Sequence, residues 1–220
     1  MSGVAYSADG TRLASACWDG TIRLWDATSG ETLATLHADA GRVDSVAFSP
    51  DGTHLASSYH DQSVKLWNTA SSEVTMTLRG HEGRILTTAF SPDGTLLASG
   101  GQDGTIRLWD VETGEELRRF DTASVPKNPR DSGPREAPGE FHALAVTPDG
   151  KIVITGGVGG AVCIWDLQTG KLLRTFKGHS ADVTAVAVTP NGHRVVSGSL
   201  DGTLKLWDLR SEDKSNLLLA

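Results

Sequence analysis

Apolar and polar residues alternate over short segments of the chain, a pattern typical of half-buried β-strands. In the segment Thr105–Asp110, Ile106 and Leu108 share one face of the predicted strand, and Arg107 and Trp109 share the other. Asp-Gly and Thr-Gly pairs separate such segments, and Asp-Gly tolerates the positive φ that a tight hairpin requires. No stretch has the period of a long amphipathic helix. The pattern therefore predicts antiparallel units of four short strands.

These four-segment units recur along the chain. The third segment of each unit ends in a Trp-Asp or Trp-Asn pair, whose tryptophans are Trp25, Trp67, Trp109, Trp165 and Trp207. Consecutive tryptophans are 42 residues apart, except that Trp165 follows Trp109 by 56. The extra residues fall in Thr122–Glu140, which holds four of the eight prolines and almost nothing apolar. This insert is predicted to be a loop.

Repeats of this length that end in Trp-Asp resemble the WD-repeat β-propellers, in which each repeat forms a four-stranded blade. The resemblance covers essentially the whole chain and implies one all-β propeller domain over residues 1–220. Its strands would be a to d, with strand a nearest the axis, and each sheet would bury both faces against its neighbours. The five antiparallel blades would span about residues 1–37, 42–79, 84–121, 140–177 and 182–220.

The number of blades predicts an incomplete ring. The family resemblance makes seven blades usual for this repeat, and five would leave an open arc. The outer faces of the first and last blades would then be exposed, and exposed sheet faces and edges favour association. We therefore expect the arc to pair with another chain or with missing blades.

Two repeats carry His, Ser, Asp and Trp at identical spacing, as the sets His81, Ser99, Asp103, Trp109 and His179, Ser197, Asp201, Trp207. Ser, His and Asp also make a hydrolase triad, but a hydrolase needs one such set in an exposed cleft. The family resemblance implies instead a buried hydrogen-bond relay from Asp through His and Ser to the indole N–H. Such a relay satisfies polar groups that are costly to bury unpaired.

The other repeats lack part of this set. The first repeat has no histidine before it, and in the second Asp39 stands in place of the histidine. Two ionised carboxylates do not share one pocket comfortably, so we expect Asp39 to turn toward solvent. In the fourth repeat Gly159 replaces the aspartate. The third and fifth blades are therefore predicted to be the rigid ones.

Charge and composition exclude several functional classes. The net charge is −7 and no basic block is present, which argues against nucleic-acid binding. Cys17 and Cys163 are far apart in sequence and indicate ordinary thiols of a reducing, cytoplasmic compartment. Histidines and cysteines never fall at metal-ligand spacing, and neither a metal nor a cofactor is predicted. No apolar run is long enough to cross a membrane.

The family resemblance implies that partners dock at the end of the propeller that carries the b–c turns and d–a loops, here called the top. Trp18 is the one tryptophan of six outside the Trp-Asp and Trp-Asn pairs. A tryptophan beside arginines is typical of an interaction hot spot. The candidate binding residues at the top are Trp18, His60, Gln102, Leu200, Arg42, Arg84 and Asp182.

The leading hypothesis for function is a non-catalytic interaction module that binds a protein or peptide through its top loops. An alternative is the sensory or targeting arm of a larger signalling enzyme, such as a kinase or an ATPase. A third hypothesis is a stand-alone hydrolase that uses Ser99, His81 and Asp103. Fold alone does not choose among them.

Overall fold

A computed structural model of the chain describes residues 2–38, 40–120, 122 and 139–211. The described residues form five antiparallel sheets, in each of which consecutive strands are neighbours. Blade one contains β1 (Gly3–Tyr6), β2 (Arg12–Ala16), β3 (Thr21–Asp26) and β4 (Thr32–His37). Blade two contains β5 (Val43–Phe48), β6 (His54–Tyr59), β7 (Ser63–Asn68) and β8 (Val74–Arg79).

The remaining three sheets follow the same plan. Blade three contains β9 (Ile85–Phe90), β10 (Leu96–Gly101), β11 (Ile106–Asp110) and β12 (Glu116–Arg119). Blade four contains β13 (Phe141–Val146), β14 (Ile152–Gly157), β15 (Ala161–Asp166) and β16 (Leu172–Lys177). Blade five contains β17 (Val183–Val188), β18 (Arg194–Ser199) and β19 (Leu204–Asp208). Three predictions concern residues outside those that the structure describes. They are the fourth strand of blade five, most of the proline-rich loop and the orientation of Asp39.

The a–b turn of blade three shows why the Asp-Gly pairs make hairpins. The carboxylate of Asp93 accepts hydrogen bonds from the Ser91 hydroxyl, from the backbone N–H of Thr95 at 3.1 Å and from the Thr95 hydroxyl at 2.9 Å. The bond from Ser91 contributes most to lowering the pKa of Asp93. Gly94 follows with φ of 75°, a conformation that costs glycine little. One side chain therefore organises the turn.

The core lies between successive sheets. Strand a of each blade packs against strand a of the next, so that β5 contacts β1 and β9, and β13 contacts β9 and β17. Each of the four apolar clusters joins two neighbouring blades. The alternation predicted for Thr105–Asp110 does not separate a core face from a solvent face, because both faces are covered and Arg107 and Trp109 are buried as well.

Blades one and five have one uncovered face each. Leu204 of blade five is 68% exposed, whereas its counterpart Ile106 in blade three is 0% exposed. Tyr6 of blade one is likewise exposed, and Trp25 is only half-buried although the other four Trp-Asp and Trp-Asn tryptophans are buried. In the described part of the chain, blades one and five form no interface like those between successive blades. The five blades form an open arc.

Candidate functional site

The relay of blade three joins strands β10 and β11, the loop before β9 and the turn between β10 and β11. Trp109 pairs with Leu97 across the b–c ladder, so Ser99, two residues further along β10, lies diagonally beside it on the same face. The indole N–H of Trp109 donates to Ser99 Oγ at 2.8 Å, and Ser99 Oγ lies 2.7 Å from His81 Nε2. His81 Nδ1 lies 2.8 Å from the carboxylate of Asp103. With a neutral imidazole protonated at Nδ1, every link has one donor and one acceptor.

Asp103 ends this relay and is itself held by its own turn. Its carboxylate accepts the backbone N–H groups of Glu82 and Thr105, each at 3.0 Å, and the Thr105 hydroxyl at 2.8 Å. Burial alone would raise the pKa of Asp103, but the hydrogen bond from His81 and these backbone bonds hold it well below its usual range. The carboxylate is therefore ionised in the folded protein.

Blade five repeats the arrangement. The indole of Trp207 donates to Ser197 at 2.8 Å, Ser197 lies 2.8 Å from His179 Nε2, and His179 Nδ1 lies 3.0 Å from Asp201. The hydroxyl of Thr203 is the largest influence that lowers the pKa of Asp201. The structure thus brings the four residues of each set together, one set in blade three and one in blade five.

These sets have triad distances without triad access. The side chain of His81 has no exposed surface, Ser99 is 0% exposed, and Ser99 Oγ already accepts the indole N–H of Trp109. A nucleophilic serine needs a substrate carbonyl beside it and an oxyanion hole. The geometry therefore gives no support to a hydrolase that uses Ser99, His81 and Asp103.

A glycine precedes each relay histidine because the tryptophan ring lies against it. A Cβ placed on Gly80 would lie 2.6 Å from the guanidinium of Arg107 and 3.2 Å from the ring of Trp109. A Cβ on Gly178 would lie 3.0 Å from the ring of Trp207. The Gly-His pair thus combines close packing with hydrogen bonding.

Blade two satisfies its tryptophan in a way that the repeat pattern did not predict. The indole of Trp67 donates to Ser57 at 2.8 Å, as in the other blades, but the hydroxyl of Tyr59 lies 3.2 Å from the same Ser57 oxygen. Tyr59 is fully buried, and this burial raises the pKa of its phenol to about 12. Other repeats have Cys17, Gly101 or another small residue there. Tyr59 therefore occupies the place next to Ser57 that histidine takes in blade three.

Blades one and four keep only the first link. In blade four the indole of Trp165 donates to the buried Thr155 at 2.9 Å. In blade one Trp25 donates to the half-buried Ser15 at 2.8 Å. Gly159, which stands where the other blades have the aspartate, donates its backbone N–H to Asp182 of blade five at 3.2 Å.

At the top of blades one to three, an exposed tryptophan and two arginines surround a buried acid, and we call Trp18, Arg42, Asp44 and Arg84 the top cluster. The Arg42 guanidinium carbon lies 3.8 Å from the centre of the Trp18 ring, and Trp18 is 59% exposed. Arg42 Nε donates to Asp44 at 3.0 Å, and Arg84 donates to Asp44 through Nη2 at 2.7 Å and Nε at 3.3 Å. The side chain of Asp44 is 6% exposed.

Sequence analysis selected Trp18, Arg42 and Arg84 but missed the acid between them. The equivalent positions of the third and fourth repeats hold Leu86 and His142, so the repeat gave no reason to expect a functional acid at Asp44. An acid two residues after an arginine was the available signal, because opposite charges so close along the chain can form an ion pair. Asp44 is the residue that fixes both guanidinium groups.

The other predicted binding residues lie outside this cluster. His60 and Leu200 are exposed. Gln102 donates to Glu140 at 3.4 Å, and Asp182 accepts from Gly159. Among the residues that the structure describes, no group of three His, Cys, Asp or Glu side chains could hold a metal ion. No helix in that part of the chain is long and apolar enough to span a bilayer.

The family model of the WD domain, G-beta repeat (WD40), matches five segments of the chain, residues 1–26, 30–68, 72–110, 137–166 and 170–208. The chain belongs to the WD40-repeat family. The match confirms the resemblance and the propeller class inferred from the Trp-Asp pairs. WD40 repeats serve as protein-interaction scaffolds and are generally non-catalytic.

One similar protein is the uncharacterized WD repeat-containing protein alr3466 of Nostoc sp. It is 45% identical over 47 residues, which make up 21% of this chain and 3% of that protein. The aligned stretch is thus a small part of a longer WD-repeat protein. The likeness supports the family and carries no information on a partner.

Proposed function

We propose that this WD40-repeat chain is a non-catalytic binding domain that presents the top cluster to a protein or peptide partner. The observation that carries the proposal is Trp18, more than half exposed and stacked against Arg42 at 3.8 Å. Tryptophan and arginine are the residue types most enriched in binding hot spots. The same argument favours blades one to three as the main contact region.

The top cluster is fixed before any partner arrives. Asp44 is nearly buried and holds Arg42 and Arg84 by three hydrogen bonds. Hydrogen bonds with ionised groups at both ends are stronger than neutral ones. Ordering a long side chain on binding costs about 0.5–1.5 kcal/mol, so side chains that are already held bind with less loss. A rigid Trp-Arg surface of this kind supports a binding role.

The experiment is affinity capture with the purified chain followed by titration of each captured protein. Trp18→Ala should weaken binding by about 2 kcal/mol or more, the range of a hot-spot residue. Leu117→Ala is the matched control, because Leu117 is an apolar side chain of similar exposure, 49%, on the outer strand of blade three. Partners that bind all three proteins equally would place the binding surface elsewhere.

The alternative, a sensory or targeting arm of a larger signalling enzyme, stays a prediction from the sequence. So does a cytoplasmic location, for which the support is that neither Cys17 nor Cys163 forms a disulfide. Both are compatible with the same binding surface.

A further inference from the structure

The arginines of the top cluster have hydrogen-bond donors to spare. Arg42 uses its Nε for Asp44, and neither of its terminal nitrogens bonds to a described residue. Arg84 uses Nε and Nη2 for Asp44, and its Nη1 likewise has no partner among the described residues. Their side chains are 34% and 23% exposed, respectively, so solvent and ligands reach them. Partly buried guanidinium N–H groups favour an anionic acceptor.

The charge of the cluster is positive by one unit. Two guanidinium groups face one carboxylate, Asp44. Other acids near the top keep their charge but belong to other contacts: Asp61 pairs with Arg79, Asp103 ends the relay, Asp19 accepts from Thr21, and Glu82 is exposed. A single carboxylate neutralises one unit, whereas a phosphate ester carries about 1.5 to 2 negative charges at neutral pH. The charge balance therefore fits a carboxylate better than a phosphate.

This positive charge is local to one side of the top. The position just before strand a is occupied by Arg42 in blade two and Arg84 in blade three, but by Glu140 in blade four and Asp182 in blade five. The four side chains are all half-buried. An acidic group that approaches the top is thus attracted toward blades two and three and repelled from blades four and five.

We propose that the partner inserts an Asp or Glu side chain between Arg42 and Arg84 and packs an adjacent apolar residue on Trp18. The inference rests on the proposed function and names the chemistry that the same site recognises. Asp44 already shows that a carboxylate fits these two guanidinium groups, since it accepts bonds from both. Trp18 supplies an exposed aromatic surface beside them.

The test uses three short capped peptides that differ at one position: acetyl-Leu-Glu-Leu-amide, the same peptide with Gln, and the same peptide with phosphoserine. Binding is followed by the NMR shift of the Trp18 indole N–H. We expect the Glu peptide to bind about tenfold more tightly than the Gln peptide, the effect of one charge-assisted hydrogen-bond pair. Equal binding of Glu and Gln peptides would overturn the proposal, as would a phosphoserine peptide that binds tenfold more tightly than the Glu peptide.

Substitutions of single arginines show which residue causes the preference for the Glu peptide. Arg84→Gln should abolish the preference for Glu over Gln, and Arg119→Gln is the control, with the same charge change on the exposed outer strand of blade three. Because Arg84→Gln leaves Asp44 with one partner fewer, circular dichroism and the urea midpoint of this variant are compared with those of the parent, to show that the fold is intact. A Glu preference that survives in folded Arg84→Gln would contradict the proposal.

The two proposals fail in different ways. If Trp18→Ala abolishes capture of a partner while Glu and Gln peptides bind alike, the binding surface stands and the carboxylate assignment is wrong. If Trp18→Ala leaves capture unchanged, the top cluster is not the binding surface. Each outcome therefore refutes one identified statement.

Discussion

Ser99→Ala tests whether the buried relay stabilises the fold beyond packing. The substitution removes one oxygen, which accepts the Trp109 indole N–H at 2.8 Å and lies 2.7 Å from His81 Nε2. Both partners are buried, so neither gains water in exchange. A buried polar group left without a partner costs about 1–3 kcal/mol, so two such groups give an expected loss of roughly 2–4 kcal/mol.

Two other blades provide a graded comparison. Thr155→Val in blade four removes an acceptor for the Trp165 indole alone and should cost about 1–2 kcal/mol. Ser15→Ala in blade one also leaves one indole without its partner, but Trp25 and Ser15 are half-buried and water can substitute. Its expected loss is below about 1 kcal/mol. The predicted order is Ser99→Ala, then Thr155→Val, then Ser15→Ala.

The measurement is the free energy of unfolding from urea titration of the parent and the three variants, with coincident near- and far-UV circular dichroism as a check on two-state behaviour. Unequal slopes would show a change in the unfolded state rather than in the relay. Equal losses in the three variants would refute the prediction, because the cost would then not depend on how many buried hydrogen-bond partners each substitution removes.

Three further outcomes follow from the structure. Tyr59→Phe should cost about 1 kcal/mol of unfolding free energy, since it removes the hydroxyl that contacts Ser57, and a cost near zero would make that contact irrelevant. Ser49→Ala should raise the pKa of Asp51 from about 2 toward its ordinary 3.8 in an NMR titration of the carboxyl. The depressed pKa stabilises the fold above about pH 4 and the effect is lost as the pH falls toward 2, so the variant should be less sensitive to acid. Leu204→Asp should reduce concentration-dependent association in sedimentation, and unchanged sedimentation would show that the exposed face of blade five does not mediate it.

Sequence analysis located the strands well because their signals are repeated. Each Asp-Gly pair builds its turn from neighbouring side chains, as Asp93 does with Ser91 and Thr95, so the hairpin is specified locally. The relay residues were also recognisable, since identical spacing in two repeats places them at the same positions of two blades. Local turns and a fixed strand register therefore specify most of each blade without contacts from the rest of the fold.

Residues found in one repeat alone were harder to interpret. Asp44 acquires its role from Arg84 of the next blade, and Tyr59 contacts Ser57 on its own strand in the place that histidine takes in blade three. The repeat pattern indicates neither contact. The burial of both faces of blade three was implied by the family resemblance and not by the alternation of Ile106 and Arg107, because it depends on the neighbouring sheets. A prediction from the repeat pattern therefore does not extend to tertiary contacts between different repeats.

Each blade packs on the next one along the chain, and this arrangement affects the order in which the blades open locally. A blade in the middle is clamped by two neighbours, whereas blade one has a single one, so amide hydrogen exchange should begin at the ends and reach blade three last. Trp18 and Arg84 belong to blades one and three, and both are linked to Asp44 in blade two. A ligand bound to the top cluster would therefore link blade one, which opens first, to blades two and three. It would slow amide exchange even in strands of blade one that it does not contact.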